Sequence, residues 1–290
     1  MHADVVDALV GLLRRRYPRG LTLSWRGCGR VNGVFIAFEG IDGAGLTTHS
    51  KIAVRVMEKL VYSTNVYYTK EPTRGPVGGL IREVLARRVD ESLGRPEVLA
   101  LLFAADRLYH LYKGLPCGGT KECILNNPSI IISDRYKYSS IVYQSVDLDG
   151  APGAPRLWLE AVNSYAPPPH VLVYLDVDPE IAAKRVSERG GGIQIYESII
   201  IARRLRERFR EVLDALKAEG EVTINYGEGG IKANKKALWE GLIPSCAYPP
   251  GVYPRVVEEA TSRREVEDVA FKLVPKLVEV LVDIGLLRPL

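Results

Sequence analysis

The run Gly40-Ile41-Asp42-Gly43-Ala44-Gly45-Leu46-Thr47-Thr48 holds the most legible chemistry in this chain. A β-prone apolar stretch, residues 34–39, precedes it, and Ile52, Val56 and Leu60 follow at helical spacing. Strand, glycine loop and helix in that order form a phosphate cradle. Glycines let backbone N–H groups turn inward on phosphate oxygens, and the helix N-terminus adds partial positive charge. The hydroxyl of Thr47 is placed to meet Mg²⁺. Position 46, where such loops carry a lysine for the β- and γ-phosphates, is leucine, with neither charge nor donor. Asp42 either faces a ligand or closes an Asx turn. Asp134 and Arg135 come directly after the β-branched run 129–133, at the carboxyl end of a strand, where open α/β sheets bind ligands. A guanidinium there suits a bidentate phosphate contact. Arg107, four residues after Phe103 on one face of an apolar helix, requires an anionic or polar partner. Phe103 itself, beside Leu101 and Leu102, is either a ligand contact or core.

These residues need a scaffold, and the pattern around them supplies one. Strands are expected over 34–39, 65–69, 129–133 and 171–175, and helices over 47–60, 77–86, 96–112, from 138 onward, 180–189 and 199–216. Runs such as SIIIS and VLVYL suit strands buried on both faces, so the expected class is α/β, three layers around a parallel sheet. Residues 1–32 read as an N-terminal extension: an amphipathic helix over 5–16, a Pro18-Arg19-Gly20 turn and a short strand over 21–25. Residues 33–290 then form one domain. Within it 221–254, with Gly227, Gly229, Gly230, Pro244, Pro249, Pro250 and Pro254, is an irregular insertion. A last strand over 255–259 and a helix over 264–284 follow, with Pro275 expected to kink or bound that helix.

With 47% hydrophobic and 26% charged residues in 290, the chain can bury a sizeable core and is not a disordered protein. The balance of 39 Lys plus Arg against 35 Asp plus Glu, net +4, contains no dense basic block. Small anionic ligands are therefore expected, and nucleic acid is not. No apolar run approaches the roughly 18 residues of a membrane span. The first apolar stretch is followed, not preceded, by Arg14, Arg15 and Arg16, so a cytoplasmic location is expected. Cys28, Cys117, Cys123 and Cys246 lack Cys-x-x-Cys spacing, which argues for thiols over zinc, with a Cys117–Cys123 disulfide left open by the tolerance of heat-adapted cytosols for such bonds.

Five motifs in order extend the reading: Phe38-Glu-Gly-Ile-Asp-Gly-Ala-Gly45, Thr69-Lys-Glu-Pro72, Leu101-Leu-Phe-Ala-Ala-Asp-Arg107, Asp134-Arg-Tyr136 with Ser139, Ser140, Tyr143 and Gln144, and Tyr174-Leu-Asp-Val-Asp178. Together they resemble the thymidylate kinases. The resemblance implies a three-layer P-loop kinase fold with a five-stranded parallel sheet, transfer of the ATP γ-phosphoryl group to dTMP, Mg²⁺ dependence and a homodimer. It implies ATP binding by the loop residues Gly40 to Thr48, and metal contacts at Thr47, Asp42 and Asp134. Asp42, Lys70, Phe103, Arg107, Arg135, Ser140, Tyr143 and Gln144 would bind dTMP, with Phe103 stacked on the base and Tyr143 crowding C2′. Asp134, Arg135 and Arg189 would act in catalysis. Three places depart from the family pattern: Leu46 for the loop lysine, Ile195 where one branch of the family carries a lid arginine, and Lys70 for the arginine of the family's Arg-Glu-Pro, which keeps the charge but loses the planar fork. A single lid arginine is worth about 10³–10⁵ in rate. The expectation is therefore a slow kinase, with a catalytically silent nucleotide-binding regulator or scaffold as the alternative, and a related kinase with another donor or acceptor behind both. Lys51, Lys70, Arg185, Arg189 and the basic residues of 232–236 are the cations able to compensate.

Overall fold

The computed structural model describes residues 2–27, 32–149, 155–188, 199–217, 245–248, 255–260 and 266–290. The chain opens with helix α1 (Ala3–Arg16) and strand β1 (Leu21–Leu23), followed by β2 (Val34–Glu39), α2 (Leu46–Leu60) and β3 (Asn65–Lys70). Next come α3 (Pro76–Leu85), α4 (Pro96–Tyr112), α5 (Thr120–Asn126), β4 (Ser129–Asp134), α6 (Lys137–Asp147) and α7 (Pro155–Val162). The described remainder is β5 (Val171–Asp176), α8 (Pro179–Glu188), α9 (Ile199–Lys217), β6 (Arg255–Ala260), α10 (Val266–Asp283) and β7 (Leu287–Pro289).

Five strands form one sheet in the order β3-β4-β2-β5-β6, and every neighbouring pair is parallel. The central strands β2 and β4 are buried along their whole length, as their unbroken β-branched and aromatic runs demand. β3 lies at an edge and is half open. Because β2 and β4 are neighbours in parallel, the loop after β2 and the Asp134-Arg135 pair after β4 emerge side by side. Lys70 joins them, since β3 pairs with β4 in a register that sets Lys70 opposite Asp134.

The N-terminal extension is packed into the same core. Val5, Val6, Leu9, Val10 and Leu13 of α1 are buried, and that helix packs on α2 and α10. Each such side chain stabilises by about 1.5–3 kcal/mol on burial. β1 pairs antiparallel with β7, so the two ends of the described chain are stitched together. α10 runs on through Pro275, which marks no boundary. Pro275 is only partly buried and the residue four before it, Phe271, is exposed, so the carbonyl deprived of its donor lies on a side open to water. Cys117 and Cys123 are joined in a disulfide, and among the described residues no cysteine is free. No described helix is long and apolar enough to cross a membrane. The insertion 221–254 lies outside the described residues save 245–248.

Candidate active site

The loop between β2 and α2 is shaped by its glycines. Gly43 has φ +85°, and a Cβ there would lie 2.4 Å from the carbonyl oxygen of Ala182 on α8, so no side chain fits. Gly45, at φ +92°, caps α2. Ile41, Ala44 and Leu46 turn into the core, which leaves backbone N–H groups as what the loop offers a phosphate. Leu46 is buried and carries no polar group toward the site. Thr48 donates its backbone N–H to Gly45 and does not line the cavity described below. Arg189 lies outside the described residues.

Asp134 is buried at the end of β4. Its Oδ2 accepts from the Thr47 hydroxyl, from Tyr68 Oη at 3.1 Å, and faces Lys70 Nζ at 3.2 Å. Its Oδ1 is buried and has no hydrogen-bond partner among the described residues. A buried carboxylate oxygen left bare is costly unless something else meets it. Beside the hydroxyl of Thr47 it is a hard oxygen donor of the kind Mg²⁺ takes, and Mg²⁺ usually binds one or two carboxylates plus substrate phosphates. Among the described residues there is no cluster of three His, Cys, Asp or Glu side chains placed to hold a metal ion.

Arg135 adopts φ +73°, a left-handed conformation rarely used by residues other than glycine, at a cost of order 1–2 kcal/mol. Its contacts hold it there. The backbone N–H donates to Phe38, and Nη1 donates to the Gly40 carbonyl at 3.0 Å and to Ser139 Oγ at 2.9 Å. Nη2 donates to Asp42 Oδ1 at 2.6 Å. The guanidinium also lies 5.2 Å from the ring centre of Tyr143, whose hydroxyl donates to Asp42 Oδ2 at 2.9 Å. Burial pushes the Tyr143 hydroxyl well above its ordinary range, so it stays a donor.

A cavity of about 960 Å³ opens beside this cluster. Asp42, Thr47, Lys70, Phe103, Arg107, Arg135, Ser140, Tyr143 and Gln144 all line it, so the loop, α2, β3, α4, the turn after β4 and α6 meet at one place. Phe103 is half-buried on its wall. Ser140 donates to Gln144 Oε1 at 2.9 Å, which fixes the amide. Arg107 has the partner its apolar helix demanded. Nε donates to Glu71 Oε2 at 3.0 Å, Nη1 donates to Asn163, and the guanidinium lies over Tyr136.

Several supporting residues were missed from sequence. Glu71 also meets His110 Nδ1 at 3.0 Å, while His110 Nε2 faces Thr69 Oγ1 at 2.7 Å. Both ring nitrogens of His110 are thus partnered. Asp106 accepts from the backbone N–H and hydroxyl of Thr73. Glu39, fully buried, accepts from the backbone N–H groups of Tyr136 and Ser139 at the start of α6 and from the Ser139 hydroxyl. It thus aims the hydroxyl on which Arg135 rests. The available signals were charges inside apolar motifs, Phe38-Glu39 and Lys70-Glu71-Pro72.

Burial raises the Glu39 carboxyl from 4.5 to about 7, against the lowering effect of Ser139 and Arg135. A raised folded-state value means the folded protein holds this proton more tightly than the unfolded chain. The contribution is therefore complete below about pH 4.5 and is lost as pH rises through 7. We expect the native protein to lose stability relative to Glu39→Gln between pH 5 and pH 8, by on the order of 2–3 kcal/mol. Urea midpoints of both proteins at the two pH values check this, and parallel pH dependences would contradict it.

Comparison with known proteins identifies the family of this chain. The family model for thymidylate kinase matches residues 38–238. A protein of Pyrobaculum calidifontis named "Probable thymidylate kinase" is 39% identical over 214 residues, 73% of this chain and 98% of that protein. One of the same name from Methanococcus maripaludis is 39% identical over 204 residues, 70% of this chain and 88% of its own. A solved thymidylate kinase structure from Candida albicans superposes with a TM-score of 0.60 at 21% identity, covering 89% of this chain and 95% of that one, a likeness of fold. With a glycine loop, a buried aspartate at the end of β4 and this extent of likeness, the chain belongs to the thymidylate kinase family.

Proposed function

We propose that this chain transfers the γ-phosphoryl group of ATP to dTMP, giving dTDP and ADP, with Mg²⁺, in the cytoplasm. The observation that carries the reading is the convergence of the acceptor-side residues on one cavity against the mouth of the phosphate loop. Arg135 would bind the dTMP phosphate in exchange for part of its hold on Asp42. Phe103 would lie along the thymine. Gln144 would meet its polar edge, as would Arg107 Nη2, which makes no hydrogen bond among the described residues. Tyr143, locked to Asp42, would stand against the sugar. Thr47, Asp134 and Asp42 would hold Mg²⁺, which supplies charge neutralisation on the triphosphate. An acceptor phosphate oxygen then forms the new bond to the γ-phosphorus, the bond to the β,γ-bridging oxygen breaks, and that oxygen carries the charge away on ADP. Leu46 removes one donor to these oxygens, so turnover is slower than in a loop with lysine.

The test is product analysis with ATP, Mg²⁺ and a panel of monophosphates at elevated temperature. We expect dTDP from dTMP with kcat/KM at least about tenfold above that for dCMP or UMP, the scale that pocket contacts give. ADP release without dTDP, or equal use of all acceptors, would contradict the reading.

The same proposal includes a homodimer. α4 buries Ala104, Arg107 and Leu111 but exposes Leu101, Ala105, Leu108 and Tyr112, a stripe at helical spacing that a second copy can cover. Sedimentation should give twice the 32.1 kDa chain mass, and Leu108→Glu should give the single chain. A monomeric native protein would contradict this part.

A further inference from the structure

We infer that Lys70 supplies, from the edge strand β3, the cation that the phosphate loop lacks at position 46. This deepens the kinase reading and rests on it. The residue after Leu46 is Thr47, and Lys70 Nζ lies 3.3 Å from the Thr47 hydroxyl and 3.2 Å from Asp134 Oδ2. The ammonium thus sits on the donor loop, where the resemblance implied an acceptor contact. Its side chain is 47% exposed, so the flexible stem can swing onto a phosphate oxygen once Asp134 takes a metal.

Lys51, Arg74, Arg82, Arg107 and Arg135 line the same cavity, but among the described residues Lys70 is the cation that contacts both Thr47 and Asp134. Arg185 Nη1 donates to the Gly43 carbonyl at 3.1 Å, on the flank where the loop is pressed against α8. Lys51 Nζ lies 5.3 Å over the ring of Tyr68, one turn further along α2. Arg135 is engaged with Gly40, Asp42 and Ser139. The strand register holds Lys70 in place, because β3 and β4 pair in parallel up to the Lys70–Asp134 position. The role of Lys70 is to face the charge that grows on the β,γ-bridging oxygen as that bond breaks.

The experiment compares the native chain, Lys70→Met, Lys70→Arg and Lys70→Met/Leu46→Lys. Equilibrium binding is measured for the Mg²⁺ complex of the imido-bridged, non-hydrolysable ATP analogue and, separately, for dTMP; kcat and KM follow. We expect Lys70→Met to weaken the analogue at least about tenfold while changing dTMP affinity less than about threefold, and to lower kcat about 10²–10³-fold, as loss of one charge-stabilising donor does. Lys70→Arg should keep most of the analogue affinity. Leu46→Lys should restore binding and kcat in the Lys70→Met background by more than it changes either in the native chain. Weaker dTMP binding with an unchanged analogue affinity, and no rescue by Leu46→Lys, would overturn the inference and return Lys70 to the acceptor. Should the double variant fail to fold, the split between analogue and dTMP in Lys70→Met decides alone. If the native chain makes no dTDP, the kinase reading falls, while the same binding split still tells whether Lys70 serves the loop.

Discussion

Replacing Asp134 by asparagine is expected to lower phosphoryl transfer by about 10³-fold or more while the protein stays folded, because one charge-stabilising group in such a site carries that much. Asparagine keeps the shape of the side chain, but its amide must place one donor. At Oδ2 that donor would face Lys70 Nζ and the hydroxyls of Thr47 and Tyr68, all of which point protons at it. The amide nitrogen is therefore driven to the bare Oδ1 position. The oxygen that awaits a cation then becomes a donor that repels one. Folding loses little, since Lys70 is half in water and needs no partner there. Single-turnover rates and thermal unfolding of both proteins give the two numbers, and a rate within about tenfold of the native one would contradict the assignment.

The largest stability effect is expected at Arg107. Arg107 and Glu71 are 2% and 3% exposed, and the pair is closed by Asn163 and His110. Arg107→Ala leaves the Glu71 carboxylate buried with only an imidazole N–H, and removing one partner of a buried ion pair costs about 3–5 kcal/mol. The double substitution Arg107→Met/Glu71→Gln removes both charges and should recover most of that loss. Urea unfolding of the single and double variants tests this directly. A single variant as stable as the native protein would mean that water already reaches Glu71. Base selection should fail in both, since Arg107 lines the cavity.

How far this site could be foreseen depends on how local its causes are. The β-branched runs announced β2, β4 and β5 within a residue or so, because a strand buried on both faces has no room for polar alternation. The glycine loop was legible because its conformational need is written in consecutive residues. Pairings across the chain were not. Arg107 asked for a partner, but Glu71 is 36 residues away on another element, and nothing local chooses it over Asp106. Glu39 read as the end of a strand, yet it caps the start of a helix 97 residues on. The amphipathic face of α1 was plain, whereas its burial against α2 and α10 depends on the fold closing first. Lys70 shows the same limit: the motif gave its charge, and only the fold, with the strand register setting it opposite Asp134, brings that charge to Thr47.

The proposed phosphoryl transfer by a chain with leucine at position 46 rests on Asp134, in contact with Thr47 and Lys70, and on the acceptor-side residues around the cavity. The most direct measurement follows the γ-phosphoryl group itself. ATP labelled at that group is mixed with Mg²⁺, dTMP and either the native chain or Asp134→Asn, and the dTDP is isolated. Label in dTDP with the native protein, at a rate at least about 10³-fold above the variant, is the predicted result. dTMP bound by both proteins, with no more label in dTDP from one than from the other, would contradict it.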